Sequence, residues 1–222
     1  MNKNILINLF VFLIIISPAI YLAKVYAILP KTVGLHFGID GQPDRFGDKH
    51  ELWLGVVFLI FLNAGIYLLL KNIHKIDPKK KAVTSNSILQ KIAFAGVLLL
   101  TCVNIMVIQS SVANKITFDR IFLPVMGLFF AYLGNLMYSV KPNYFVGIRT
   151  PWALEDDENW RKTHLLAGKL WFAGGILIAV ITFFLPLIAG VPVMIGIAVI
   201  MTLIPGIYSY RHLAQHKKSI NN

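Results

Sequence analysis

Apolar residues arrive in long blocks separated by short polar connections. Six blocks stand out: Ile5 to about Ala23 (to Leu29 if Lys24 reaches back to the headgroups), Leu52–Leu70, Ile92–Ala113, Ile121–Val140, about Leu165–Ile188, and Val193–Tyr210. A helix of roughly 18–20 apolar residues crosses the hydrocarbon core of a bilayer. Apart from Lys169, near the start of the fifth block, none of the six carries an ionisable Asp, Glu, Lys, Arg or His in its interior. A charge at mid-span costs about 2.5–3.5 kcal/mol, offsetting roughly five leucines. The pattern predicts an all-α polytopic membrane helix bundle of six transmembrane helices. The first block admits a second reading as a cleaved signal peptide, since Lys3 precedes it and Val25-Tyr26-Ala27 resembles a cleavage site. Its apolar run of about 19 residues exceeds the usual h-region, and Lys24 interrupts the approach to that site, which favours a retained span.

Composition sharpens this picture. Only 14% of the 222 residues are charged and 57% are hydrophobic, with a mean hydropathy of +0.69; a soluble domain carries about 25% charged residues. A lone Cys102 excludes an intrachain disulfide framework and a cysteine-rich zinc site. The net charge of +11 raises the question of nucleic acid, so the location of the basic residues matters. With the N-terminus inside, fifteen of the 21 Lys and Arg residues fall on inside segments, against Lys24, Lys31, Arg45, Lys49, Lys115 and Arg120 outside. The positive-inside rule therefore predicts N-in, C-in. Lysines beside anionic headgroups are worth about 1 kcal/mol each, so the bilayer accounts for the charge without direct nucleic-acid contact. The chain divides on this reading into a two-helix region, 1–85, with an extracytoplasmic loop at 24–51 between helices 1 and 2, and a four-helix region, 86–222, with an inside motif at 141–171. The first inside loop, 71–91, reads as a basic linker whose lysines anchor orientation, with a specific acidic-lipid role as the sharper reading. The turns at 114–120 and at Ala189-Gly190-Val191-Pro192 are short and make antiparallel hairpins of their flanking spans.

The outside loop, LPKTVGLHFGIDGQPDRFGDKHE (29–51), holds four acids, two histidines, two prolines and four glycines. Asp40-Gly41 is a type I′ turn signal, so a short hairpin or an extended elbow is expected. Asp48, with Glu51 three residues on and an apolar run after it, reads as the N-cap and N3 of the second span. Asp40, Asp44, Asp48 and Glu51 also fall at positions 1, 5, 9 and 12 of a calcium loop, but Arg45 stands where that loop needs glycine and Pro43 stiffens the turn. No metal or other cofactor is expected; His36 and His50 read as polar loop residues.

The inside segment KPNYFVGIRTPWALEDDENWRKTHLLAGKLW (141–171) carries the most information. Thr150 precedes Pro151 and is biased to extended backbone, so GIRTPW (147–152) is expected as a non-helical strap. A helix is expected to start in the acidic run 155–158, where negative charge suits a helix N-terminus. Asp157–Arg161 and Glu158–Lys162 are i,i+4 pairs in the favourable order. Trp160, His164 and Trp171 share one face. One reading is an interfacial turn, with tryptophans at headgroup level. The other is a compact polar-aromatic cluster of Arg149, Trp152, Trp160, Arg161 and His164. No nucleophile–base pair, HExxH or phosphate-cradling glycine loop is present, so no catalytic residue is assigned and the protein is read as a non-enzyme.

GIRTPWAL (147–154) and WRKTHLLAGKLW (160–171) strongly resemble the signature of the SdpI-type immunity protein family. The outside loop resembles the small domain that often precedes that signature. This resemblance implies a multi-pass protein of the bacterial cytoplasmic membrane that protects its producer from a secreted toxic peptide. It also implies a relay in which toxin engagement lets the membrane protein tether a cytosolic transcriptional repressor. The matching inside positions are Gly147, Arg149, Thr150, Pro151, Trp152, Trp160, Thr163, His164 and Gly168; Arg161 joins them in the motif. Outside they are Pro30, His36, Gly41, Asp44 and Lys49. Replacing Arg149 or Trp160 by Ala is expected to abolish protection or signalling while leaving membrane abundance intact.

Asn63, Asn104 and Asn135 put one amide into each of spans two, three and four. Interhelical amides are worth about 0.6–2 kcal/mol as glue; a solute path is the alternative, and with it a passive transporter or lipid-handling protein. Coupled pumps place an acid or histidine inside the membrane, and these spans have none. Small residues at Gly127–Ala131 and Ala198–Thr202–Gly206 permit close helix approach, and Pro205 is expected to kink the sixth span.

Overall fold

A computed structural model describes residues 3–76, 86–115 and 119–220. In chain order it contains α1 (Lys3–Val25), β1 (Thr32–Phe37), β2 (Pro43–Asp48), α2 (Glu51–Ile76), α3 (Asn86–Ala113), α4 (Asp119–Met137), α5 (Pro151–Glu155), α6 (Asp157–Phe184) and α7 (Leu187–Ile220). All except α5 among the helices are long and apolar enough to cross a membrane, six in number among the described residues. Phe61 and Phe184 are 72% and 78% exposed, an arrangement that water penalises and lipid tails do not. The protein is an all-α membrane helix bundle with one small hairpin. The middle of the basic linker, 77–85 with Lys79, Lys80 and Lys81, lies outside the described residues.

Two compact units are present: Met1–Leu70 with Lys91–Asp119, and Lys71–Gln90 with Arg120–Asn222. In the first, Val11 and Ile15 of α1 pack on Val97 of α3. Nearer the hairpin, Leu22, Leu29, Val33, Leu52, Val56 and Ile108 close a second cluster. Asn63 donates to the Val97 carbonyl at 3.3 Å and to Thr101 Oγ1 at 3.1 Å, and Asn104 donates to the Val56 carbonyl at 3.2 Å. These two amides hold α2 to α3 through carbonyls the helices can spare. Asn135 differs: it is exposed on α4.

In the second unit α4 and α6 meet backbone to backbone. A Cβ on Gly127 would come 2.6 Å from the Gly175 carbonyl oxygen, and one on Gly168 would come 2.9 Å from that of Gly134. Only glycine permits this approach. Lateral packing in lipid depends on such dispersion contact because hydrophobic exclusion adds little there. The α6–α7 turn is not at 189–192 as expected; those residues are helical, and the break falls at Leu185-Pro186. Leu185 is extended (φ −99°, ψ 145°), as a residue before proline prefers. Pro192 and Pro205 both lie inside α7.

Candidate functional site

The strap between α4 and α6 is ordered by one asparagine. Asn143 Oδ1 accepts from the Phe145 and Val146 amides at 2.9 and 2.8 Å, while its Nδ2 donates to the Lys141 and Val146 carbonyls. That fully used side chain is buried and turns the chain back over α6. Thr150 is extended, as expected. Pro151 and Trp152, however, are not part of a non-helical strap: they open α5, where proline at the first helical position loses no hydrogen bond. Asp156 then caps α6, accepting from the Glu158 and Asn159 amides, so the helix begins within the acidic run.

Beneath the strap lies a buried pair. Trp160 and His164, 2% and 1% exposed, stack with ring centroids 3.9 Å apart. Trp160 Nε1 donates to the Val140 carbonyl at 2.8 Å. His164 Nδ1 lies 2.9 Å from the Trp160 carbonyl, and its Nε2 is 3.1 Å from the Ile148 amide. A carbonyl only accepts and an amide N–H only donates, so the imidazole is the Nδ1–H tautomer. Gly147 sits directly over it at φ +109°, and a Cβ there would collide with His164 Nε2.

A second network joins α5, α6 and α7. Asn159 Oδ1 accepts from Ser209 Oγ at 2.8 Å and Thr163 Oγ1 at 3.0 Å, and Asn159 Nδ2 donates to the Ser209 carbonyl. Thr150 Oγ1 reaches Ser209 Oγ at 3.2 Å. Trp152 meets Tyr210 edge-on, centroids 5.4 Å apart. Gly168 is part of the α4–α6 seam.

The expected five-residue cluster therefore separates. Trp160 and His164 form a buried lock; Arg149 is exposed and donates to the Tyr144 carbonyl; Arg161 is exposed. Of the two helical ion pairs, Glu158–Lys162 closes at 2.7 Å, and Asp157–Arg161 is not among the ion pairs of the described residues. Asn143, Asn159 and Ser209 were not singled out from sequence, and they organise the site.

The hairpin in the other unit pairs β1 with β2 antiparallel, Thr32 opposite Asp48 and His36 opposite Arg45. Gly41 alone has positive φ, +80°, and Asp40 does not. A type I′ turn needs both, so the turn is instead closed by the Gly41 amide on the Gly38 carbonyl at 2.9 Å. His36 and Asp44 meet across the strands at 2.6 Å, and Arg45 pairs with Glu51. Glu51 also accepts from the Asp48 amide, and Asp48 accepts from the His50 amide; the two side chains anticipated as a cap are joined, with α2 beginning at Glu51 itself and not two residues before it. Lys49 donates to the Tyr26 and Leu29 carbonyls and lies 4.6 Å over the Tyr26 ring. Pro30 is exposed at the hairpin's entry. Gly34 fastens β1 to the end of α3: its amide donates to Asn114 Oδ1 at 2.9 Å and its carbonyl accepts from Ser111 Oγ at 2.7 Å.

Six helices long and apolar enough to cross a membrane, a capped hairpin and a strap locked over α6 describe a multi-pass membrane protein. Residues 139–209 match the SdpI/YfhL protein family, and residues 13–61, from the middle of α1 through the hairpin to the first part of α2, match a domain of unknown function (DUF1648). The resemblance carried by GIRTPWAL and WRKTHLLAGKLW is thereby borne out. The chain is similar to Immunity protein SdpI of Bacillus subtilis (strain 168), 25% identical over 217 residues that cover 96% of this chain and 98% of that relative. No solved structure matches it.

Proposed function

We propose that this protein is a non-enzymatic immunity protein that shields its cell from a secreted, membrane-active toxic peptide. The hairpin is the receiving surface, and the 141–164 strap is the inward-facing output that tethers a cytosolic transcriptional repressor. The carrying observation is the likeness to the Bacillus immunity protein along nearly the whole chain. The hairpin's surface chemistry supports the reading. Ile28, Ile39 and Phe46 are 72%, 49% and 55% exposed on or beside an extramembrane element, and the four basic residues of 24–51 balance its four acids. An amphipathic peptide finds apolar contact there without a net charge to repel it, and a two-stranded sheet leaves strand edges for main-chain pairing. Arg149 suits an output contact because it is exposed and held by a main-chain carbonyl, not by an acid. A peptide can shift the strap only by binding one of two conformations better than the other.

The test is expression in a sensitive host challenged with secreted peptide toxins, with survival and membrane abundance scored together. Survival should rise with the wild-type chain. Arg149→Ala should abolish resistance, or induction of a repressor-controlled reporter, at unchanged abundance. Normal resistance and normal induction in that variant would remove the strap from the mechanism.

A further inference from the structure

An open groove of about 240 Å³ runs between α4 and α6. Its floor is Gly134 and Gly168, whose backbone contact brings the helices together and leaves the space above them unfilled. Phe172 makes an apolar wall, and Asn135, Tyr138 and Lys169 supply the polar groups. All three are exposed. Among the described residues no acid pairs with Lys169.

Depth makes that lysine informative. About 20 helical residues cross the hydrocarbon, and counting back from Phe184, the end of α6, places the boundary near Leu165. Lys169 then lies about 6 Å inside it, at 1.5 Å per residue. Helical side chains lean toward the N-terminus, so its stem can carry the ammonium back along the groove to phosphate level. Tyr138, one residue past the end of the antiparallel α4, stands at the same level. At that level, with no acid among the described residues paired to it, the ammonium has an anionic lipid phosphate as the neutralising group its surroundings offer.

We propose that this groove binds one anionic phospholipid. Its phosphate sits at Lys169, the Tyr138 hydroxyl and Asn135 amide donate to its phosphate or glycerol oxygens, and an acyl chain lies along Phe172. Charge complementarity selects the headgroup and the groove's shape holds the chain. This site does not depend on the toxin reading.

Native mass spectrometry of the full chain, released from detergent micelles doped equally with phosphatidylglycerol and phosphatidylcholine, tests it. The wild type should retain phosphatidylglycerol about fivefold over phosphatidylcholine, the ratio one lysine contact at a membrane surface supplies. Lys169→Gln should bring the ratio near one, Lys169→Arg should keep it, and Lys91→Gln on α3 should leave it unchanged. Should Lys169→Gln not fold, Tyr138→Phe, at a residue 66% exposed and so tolerant of change, should lower the amount of phosphatidylglycerol retained instead. Equal retention of both lipids by the wild type, an unaltered ratio in Lys169→Gln, or unaltered retention in Tyr138→Phe, would overturn the proposal. So would displacement of the lipid by glycerol phosphate at equal concentration, which would make the headgroup alone the ligand.

Discussion

His164 has both ring nitrogens committed, one to a carbonyl on its own helix and one to an amide of the strap. The strap reaches that amide only because Gly147 passes over the ring without a side chain. Gly147→Ala brings two penalties, a backbone at φ +109° and a methyl in the imidazole. The expected loss is about 1–3 kcal/mol, read as a lower unfolding midpoint in detergent, with Gly196→Ala on α7 as a comparison in which the methyl meets nothing within 4 Å. Trp160 grades the same lock. Trp160→Phe leaves the Val140 carbonyl unpaired and should cost about 1–3 kcal/mol; Trp160→Ala should cost about 3–5 kcal/mol. Equal midpoints for the two variants would mean that the indole hydrogen bond and the cavity do not matter separately. This revises the expectation that Ala at Trp160 would spare abundance: a side chain 2% exposed is structural first, whereas Arg149 remains the clean probe. The spacing of Trp160 and His164 announced their shared face. Nothing announced Asn143, Asn159 or Ser209, because an asparagine's value here lies in main-chain groups that only the folded loop presents, and Ser209 is fifty residues from Asn159.

The hairpin shows how an element too small to be stable alone is held. Two strands seldom fold by themselves in water, and here Val33 is buried in the first unit's core while Gly34 is tied at both backbone groups to the end of α3. Ser111→Ala and Asn114→Ala each remove one tie, worth about 1 kcal/mol. Each should therefore speed hydrogen–deuterium exchange of the Val33–Leu35 amides about fivefold, leaving the α1 and α2 amides untouched. Unchanged exchange in both would show that Val33 packing alone seats the strand. The long helices were legible because lipid demands unbroken apolar runs, and the cap at Asp48 and Glu51 was legible because it is local. The α6–α7 turn was misplaced for a physical reason: Ala-Gly-Val-Pro looks like a loop, yet proline inside a membrane helix removes one hydrogen bond and is tolerated there. Pro186 ends the helix because the residue before it is held extended. The Asp40-Gly41 turn was misread in type because turn type depends on φ at two residues, and only the glycine crossed to positive values.

At the scale of the molecule, the function proposed above requires the hairpin and the strap to face opposite sides of the membrane. Chain order supports this, since α2, α3 and α4 intervene between them and three crossings invert the side. Charge then sets which side is which: on that topology fifteen of the 21 basic residues fall on the strap's side, each worth about 1 kcal/mol against an anionic inner leaflet. Turning the protein over would forfeit that excess while changing none of its internal packing, so orientation rests on charge and not on the fold. The single native cysteine makes the question answerable. In a Cys102→Ser background, Phe46→Cys on β2 and Arg161→Cys on α6 both occupy exposed positions. A membrane-impermeant maleimide added to intact cells should label the first and not the second; permeabilised cells should show both. Labelling of Arg161→Cys in intact cells would put the strap outside, beyond reach of any cytosolic repressor. The immunity reading could then survive only in a form where hairpin and strap exchange roles.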